Sequence, residues 1–186
     1  MQKLANAALG AAGLALTLAA CVTTPATAPA ADAETPYYVR EGMVIGLNPS
    51  ITAIWDMQVD VMDDYGNFDP ALMDDAKWTA LLANARELQH QSQLMGEATR
   101  YVAADPNGTL TDPPVGTDLV AIQQRLDEQE DLYRAMSMSL AGHAGQLVLA
   151  AEARDAERVT ALVNDMQPVC KACHDVFWYP EEYQGS

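Results

Sequence analysis

The sequence predicts an all-α fold, an antiparallel four-helix bundle. Helix-forming residues such as Ala, Leu, Gln and Glu are plentiful among the 186 residues, and aromatic residues make up only 6%. This composition favours helix over strand. After residue 37, apolar residues recur with the helical period, and no period-2 stretch is flanked by hairpin turns. Four such amphipathic segments follow one another with short connections, as in an antiparallel bundle.

The first segment extends from about residue 38 to residue 65 and is predicted to bury one broad face. That face comprises Met43, Val44, Leu47, Ile51, Ile54, Trp55, Met62 and Tyr65. Pro49 either kinks a long helix or lies in the first turn of a shorter helix that Asn48 caps. The second segment, about residues 69–103, opens with an Asp-Pro start signal.

The third segment spans about residues 118–153, after a polar loop at residues 105–117, and the fourth spans about residues 155–178. Both show amphipathic periodicity, and Pro168 is expected to bend the fourth. The Leu and Met stripes of all four segments are interpreted as core packing.

Residues 1–20 have the features of a secretory signal peptide. Lys3 precedes a small apolar run that is too short for a comfortable membrane span. The run ends in Leu-Ala-Ala before Cys21, which resembles a bacterial lipobox, where the cysteine is diacylated and becomes the first residue. We therefore expect lipidation at Cys21. The alternative is ordinary signal cleavage at the small-x-small sites of residues 26–28 or 31–33.

Residues 21–37 are rich in Thr, Pro and Ala and have hardly any periodicity. This composition predicts a lipidated cysteine followed by a disordered tether, with the folded domain in residues 38–186. Such a domain is expected in the periplasm and held to a membrane by its lipid anchor alone. We expect the outer membrane rather than the inner.

The chain carries 26 acidic and 10 basic side chains, a formal net charge of −16. This balance argues against a nucleic-acid binder and against a polybasic membrane-surface protein. Removal of the signal peptide takes Lys3 with it and makes the mature chain one unit more negative. The charge favours docking to a basic partner surface, unless it serves solubility alone.

Cys170, Cys173 and His174 form a C-x-x-C-H pattern near the C-terminus. This pattern is typical of covalent c-type haem attachment. Two thiols three residues apart project from one helical turn, where each can add to one vinyl group of the haem. The adjacent imidazole is then placed to become the proximal axial ligand. Because c-type haem is attached outside the bacterial cytoplasm, the export signal supports one covalent haem c as the cofactor.

Other interpretations of the two cysteines have less support. A zinc site would need a second pair of ligands, and His90 and His143 are isolated in the sequence. A thioredoxin-like motif would need strands, which the pattern does not predict. A non-haem lipoprotein with a disulfide between Cys170 and Cys173 stays open as a third hypothesis. An enzyme is not expected, because no Ser/His/Asp set or pair of carboxylates stands out.

The stretch from Val169 to Asp175, at the end of a four-segment chain, is similar to the last helix of the class II cytochromes c, the cytochrome c prime group. The resemblance covers about residues 38–180 and is strongest in the last helix. It implies a four-helix bundle with one haem on the fourth helix, and it leaves open a homodimer. The family often has a basic residue four places after the haem histidine, where this chain has Trp178. That departure suggests a divergent member.

The resemblance implies two functional kinds: high-spin members with an open sixth position, and low-spin members that fill it with a methionine of the first helix. In an up-down bundle, the end of the fourth helix lies beside the start of the first, the end of the second and the start of the third. Met43 is therefore the expected sixth ligand. Met57 and Met62 would lie about 20 and about 28 Å further along the axis. If the helix began at Asn48, Trp55 or Met57 would be the neighbour and an open site is expected.

The leading hypothesis is a periplasmic, membrane-tethered one-electron carrier with one haem, ligated by His174 and Met43, that serves a redox partner protein. The alternative is a five-coordinate, high-spin haem protein that binds nitric oxide or carbon monoxide. Arg40, one turn before Met43, is a candidate partner for a haem propionate, and its other interpretation is a solvated surface arginine.

Overall fold

A computed structural model of the chain describes residues 35–65, 68–110, 113 and 117–179. The predicted signal peptide and Cys21 lie outside these residues. The described chain is mostly helical, which confirms the all-α prediction. In chain order, the elements are strand β1 (Tyr37–Tyr38), helix α1 (Val39–Glu41), a π-helical segment (Gly42–Leu47), helix α2 (Asn48–Asp60), a 3₁₀ turn (Pro70–Leu72), helix α3 (Asp75–Glu97), strand β2 (Tyr101–Val102), and helices α4 (Leu119–Glu128), α5 (Glu130–Glu152) and α6 (Ala156–Phe177).

The first helix begins well before Pro49. The backbone is helical from Val39 to Asp60, and Asn48 has helical dihedral angles (φ −58°, ψ −40°) and is not an N-cap outside the helix. A proline ring inside an α-helix clashes with the carbonyl four residues earlier and offers no N–H. The turn before Pro49 is π-helical, and its wider hydrogen-bond pattern accommodates the ring. The alternative of a shorter helix capped by Asn48 was therefore wrong.

The second predicted helix is too long at both ends. The carboxylate of Asp69 accepts a hydrogen bond from the backbone of Ala71 (2.9 Å) and caps only the 3₁₀ turn. Helix α3 starts after Asp74, whose carboxylate accepts from the backbone N–H of Lys77 (2.8 Å). At its other end, α3 stops at Glu97, and the chain then extends into β2. Strand β2 pairs in parallel with β1. Residues 101–102, which the sequence places in the last turn of the helix, therefore form a strand with residues more than 60 positions earlier.

The third predicted helix is divided at Gln129, where the backbone leaves the helical region (φ −135°, ψ 36°). Helix α4 begins after Asp118, whose carboxylate accepts from two backbone N–H groups of the first turn, both at 3.0 Å. Helix α6 begins after Asp155, which accepts from the backbone N–H of Arg158 at 3.0 Å. It continues through Pro168. Each of these two helices therefore has a carboxylate cap of the expected kind.

The helices bury a common core. Helix α3 packs most extensively against α5, α6 packs against α5, and α2 packs against both α3 and α6. The largest fully buried side chains are Tyr133, Phe177, Leu47, Ile54, Leu81, Leu88, Met95, Ile122, Leu126, Leu147, Met166 and Val39. None of the helices that the structure describes is long and apolar enough to cross a membrane.

The first helix buries a narrower face than the sequence predicts. Leu47, Ile51 and Ile54 are buried, but Val44 is 46% exposed and Tyr65 is 90% exposed, so their predicted burial was wrong. Tyr65 follows the end of α2. Val44 lies in the π-helical segment, where the number of residues per turn departs from 3.6 and the predicted wheel no longer applies.

A short strand precedes the first helix and pairs with the segment after α3. Tyr37, which the sequence places in the tether, forms β1, and its backbone N–H donates to the carbonyl of Arg100 at 2.9 Å. The ring of Tyr37 packs edge-on against that of Tyr101, with centroids 6.3 Å apart. This pairing holds the start of α1 next to the segment that follows α3.

Candidate functional site

A cavity of about 460 Å³ lies between the first helix and α6, closed by the end of α3 and the first half of α5. This volume is typical of small-molecule and cofactor sites. Most of the lining side chains are apolar, for example Leu47 and Ile51 from the first helix, Leu140 from α5 and Val169 from α6. The cavity therefore suits a largely apolar ligand with a few polar anchors.

The cavity brings together five of the six side chains that the sequence selects. Arg40 and Met43 line it from the first helix, and Cys170, Cys173 and His174 line it from α6. The sixth selected residue, the predicted lipidation site, lies outside the described part of the chain.

The two thiols lie one turn apart on α6, and both are half-buried and free. Burial raises the pKa of the Cys170 thiol. Burial, with a smaller contribution from Cys170, raises the pKa of the Cys173 thiol to about 12. Both sulfurs are therefore protonated thiols at neutral pH. Two free thiols on one face of a helix and at the edge of an apolar cavity suit covalent attachment to a ligand inside it.

His174 is half-buried beside the thiols. Burial lowers the pKa of its imidazole, and the negative charge of Asp175 opposes this shift only in part. The imidazole is therefore neutral at pH 7, the form that binds metals. The carbonyl of His174 accepts hydrogen bonds from the backbone N–H groups of Trp178 (2.9 Å) and Tyr179 (2.8 Å), which close the end of α6. The ring of Tyr179 lies edge-on to the imidazole, with centroids 6.2 Å apart.

Met43 lies in the π-helical segment and is half-buried against the core. Met57, by contrast, lines a separate, small cavity, and Met62 forms an isolated β-bridge with Phe68. Trp55 lines the main cavity as well, although the sequence selects it only for a helix that begins at Asn48.

Arg40 is 7% exposed, so its interpretation as a solvated surface arginine was wrong. One guanidinium nitrogen, Nη1, donates to the carbonyl of Leu110, and the backbone N–H of Arg40 donates to the carbonyl of Ala103 at 3.0 Å. Arg40 therefore holds the segment after β2 against the first helix while its side chain lines the cavity. A positive charge in the wall of an apolar cavity can pair with an anionic group of a ligand.

The sequence did not single out two further methionines that line the cavity, Met95 and Met136. Met95 lies near the end of α3 and Met136 near the start of α5, the two regions that up-down bundle geometry places beside the end of α6. That geometry could have identified them. The sulfur of Met95 accepts a hydrogen bond from the hydroxyl of Tyr133 at 3.0 Å. Trp178, at the position where class II cytochromes c often have a basic residue, also lines the cavity.

No protein-family model matches the chain, and the searches of curated proteins and of solved structures give no significant match. Within the described residues, no three His, Cys, Asp or Glu side chains cluster in a way that could hold a metal ion. The assignment of the site therefore depends on the residues of this chain.

Proposed function

We propose that the chain is a class II-like cytochrome c, a four-helix bundle that carries one covalent haem and transfers single electrons. The observation that carries the proposal is the common cavity of Cys170, Cys173, His174 and Met43. Three of these side chains belong to the attachment motif, and the fourth, a thioether, comes from a different helix.

The packing of the helices supports a bundle. Helix α2 packs against α3, α3 against α5, α5 against α6, and α6 against α2, which gives a closed cycle of four. Bundles of this kind build cofactor sites from side chains of facing helices. The cavity has this character, since all four helices contribute to its lining.

Haem, when bound, supplies a one-electron Fe(III)/Fe(II) couple. The thiols of Cys170 and Cys173 would each add their S–H across one vinyl C=C bond, which forms a thioether and releases nothing. The neutral imidazole of His174 and the thioether of Met43 would hold the iron. Arg40, in the cavity wall, would pair with a propionate.

The remaining lining tunes this chemistry. Apolar side chains such as Leu47, Ile51 and Leu140 keep water from the cavity and lower its dielectric constant. Together with the axial ligands, this environment sets the reduction potential. A thioether from Met43 would also occupy the sixth coordination position, which favours electron transfer over the binding of nitric oxide or carbon monoxide.

The proposal places the mature protein in the periplasm, anchored to the outer membrane through a lipid on Cys21. Its net charge of −16 before processing favours a redox partner with a basic docking surface. The rate of electron transfer with such a partner would fall as the salt concentration rises, because the attraction between surface charges is screened.

Expression with a haem-maturation system tests the proposal. We expect a protein that stains for haem in a denaturing gel, a mass increase of one haem, and sharp low-spin α and β bands after reduction. The paired substitution Cys170→Ala and Cys173→Ala should abolish the stain. Absence of covalent haem would overturn the proposal, whereas covalent haem with a broad high-spin spectrum that shifts with carbon monoxide would favour the gas-binding alternative.

A further inference from the structure

Three methionines line the cavity, and the structure distinguishes one of them. Met95 is 1% exposed, whereas Met43 and Met136 are half-buried. The sulfur of Met95 accepts a hydrogen bond from the hydroxyl of Tyr133 at 3.0 Å. A thioether sulfur is only a weak acceptor, so a buried hydroxyl directed at it is an unusual pairing.

Breaking the hydrogen bond from the hydroxyl of Tyr133 to the sulfur of Met95 would be unfavourable. Tyr133 is 1% exposed, and a buried hydroxyl that loses its partner is destabilising. Burial raises the pKa of Tyr133 well above its ordinary value, so the phenol keeps its proton and acts as a donor. The hydrogen bond to the sulfur therefore persists across the physiological pH range.

Neighbouring rings fix the direction in which Tyr133 points. Its ring lies edge-on between that of Tyr101, with centroids 4.8 Å apart, and that of Phe177, with centroids 5.1 Å apart. The hydroxyl of Tyr101 donates to the backbone carbonyl of Met95 at 2.8 Å. Met95 is thus held by one tyrosine at its sulfur and by another at its backbone.

We propose that Tyr133 is a positioning residue that determines which methionine binds the haem iron. By engaging the sulfur of Met95, it withholds this thioether and leaves the sixth position to Met43. This inference rests on the proposed function, because it presupposes a haem attached to α6. Methionine has three rotatable bonds, so a released Met95 can redirect its sulfur within the cavity.

The test uses the holoprotein and the substitution Tyr133→Phe, which removes the hydroxyl and keeps the ring. In a Met43→Ala background the haem is expected to be high-spin and to bind carbon monoxide. Addition of Tyr133→Phe should restore low-spin bands through Met95. Carbon monoxide should then bind about tenfold more weakly, as expected when the sixth position is open in about one molecule in ten.

The matched control is Tyr101→Phe in the same Met43→Ala background. This change also removes a tyrosine hydroxyl that donates to Met95, and it keeps the ring. The lost hydrogen bond goes to the backbone carbonyl of Met95, however, and the sulfur of Met95 keeps its bond to Tyr133. The control should stay high-spin. A third substitution, Met95→Leu, added to Met43→Ala and Tyr133→Phe, should return the protein to the high-spin form.

Several outcomes would overturn the inference. One is a high-spin spectrum for Met43→Ala with Tyr133→Phe, provided that circular dichroism shows a folded helical protein. Another is a low-spin spectrum that persists in the triple variant with Met95→Leu. A third is a low-spin spectrum of the Met43→Ala single variant, because a second ligand would then bind the iron while Tyr133 is still present. Haem staining separates these results from failure of the proposed function, since all the variants keep Cys170, Cys173 and His174.

Discussion

Met43 and His174 line the same cavity although they lie in the first and the last helix of the described chain. The π-helical segment before Pro49 makes this possible, because it lets the helix begin at Val39 instead of at Asn48. A helix that began at Asn48 would have left Met43 in a connecting loop. The local response of the backbone to one proline thus determines whether a thioether is available to the site.

Under the proposed function, replacement of Met43 by Ala should remove the sixth ligand of the haem iron. We expect the low-spin absorption bands of the reduced holoprotein to be replaced by a broad high-spin spectrum, with new reactivity toward carbon monoxide. Met57→Ala is the control, because this half-buried methionine lines a different cavity, and its spectrum should match that of the wild type. An unchanged spectrum for Met43→Ala would exclude Met43 as the ligand.

The sequence predicted the helical segments because they depend on short-range pattern. It placed Met43 near Cys170, Cys173 and His174 because an up-down arrangement puts the start of the first helix beside the end of the last. Apolar periodicity and the connection lengths are properties of neighbouring residues. Features that depend on distant contacts were missed. The pairing of β1 with β2 ends the second helix early, and Gln129 breaks the third helix without a proline or glycine signal.

The burial of Arg40 has the same origin. A charged residue one turn before Met43 has the pattern of a surface position. The sequence does not show that its guanidinium donates to the carbonyl of Leu110, in the segment that follows β2. Likewise, Met95 and Tyr133 meet across α3 and α5. Sequence periodicity indicates that each lies on an apolar face, but not which atoms meet.

Gly42 should not tolerate a side chain. An added Cβ would lie 2.0 Å from the hydroxyl oxygen of Tyr37 and 2.4 Å from its Cζ atom, so the ring would have to move. We expect Gly42→Ala to lower the free energy of unfolding by about 1–3 kcal/mol, as for other overpacked sites. Urea unfolding of the protein followed by circular dichroism measures this change.

Gly142→Ala is the control for Gly42→Ala, and it is expected to change the free energy of unfolding in the opposite direction. Gly142 lies inside α5, and apart from the adjacent residues and the backbone of the helix itself, no atom of the described residues lies within 4 Å of an added Cβ. Alanine should therefore raise the free energy of unfolding by about 0.5–1 kcal/mol, because it restricts the unfolded chain and favours helix. Equal effects of the two substitutions would show that Tyr37 does not pack against Gly42 as described.

Tyr37 should make the fold sensitive to alkaline pH. Burial, and to a smaller extent the neighbouring Tyr101, raises the pKa of Tyr37 from 10.0 to about 12. The folded protein therefore keeps a proton that the unfolded chain loses above pH 10. Its contribution to stability is complete below pH 10 and is lost as the pH rises through 12. Tyr37→Phe should make the free energy of unfolding depend less on pH between pH 10 and pH 12. The wild type should show a phenolate absorbance that appears near pH 12 and is absent from this variant.

Tyr37→Phe also tests whether the buried hydroxyl of Tyr37 lacks a hydrogen-bond partner. The hydroxyl of Tyr37 is buried and has no hydrogen-bond partner in the part of the chain that the structure describes. Because an unsatisfied buried hydroxyl costs about 1–3 kcal/mol, Tyr37→Phe should leave the free energy of unfolding at pH 7 unchanged or raise it. A marked loss of stability at pH 7 would mean that the hydroxyl has a partner.

The helix that carries Cys170, Cys173 and His174 should depend for its stability on its N-terminal cap. Asp155 follows Arg154, which has a positive φ of 53°, and its carboxylate accepts a hydrogen bond from the backbone N–H of Arg158 at 3.0 Å. Asp155→Ala should lower the free energy of unfolding by about 1 kcal/mol. Asp155→Asn should lose much less, because an amide oxygen still caps the helix. Since the cap lies at the opposite end of α6 from His174, the haem spectrum of both variants should match that of the wild type. A spectral change in Asp155→Ala alone would contradict this separation of the helix start from the site.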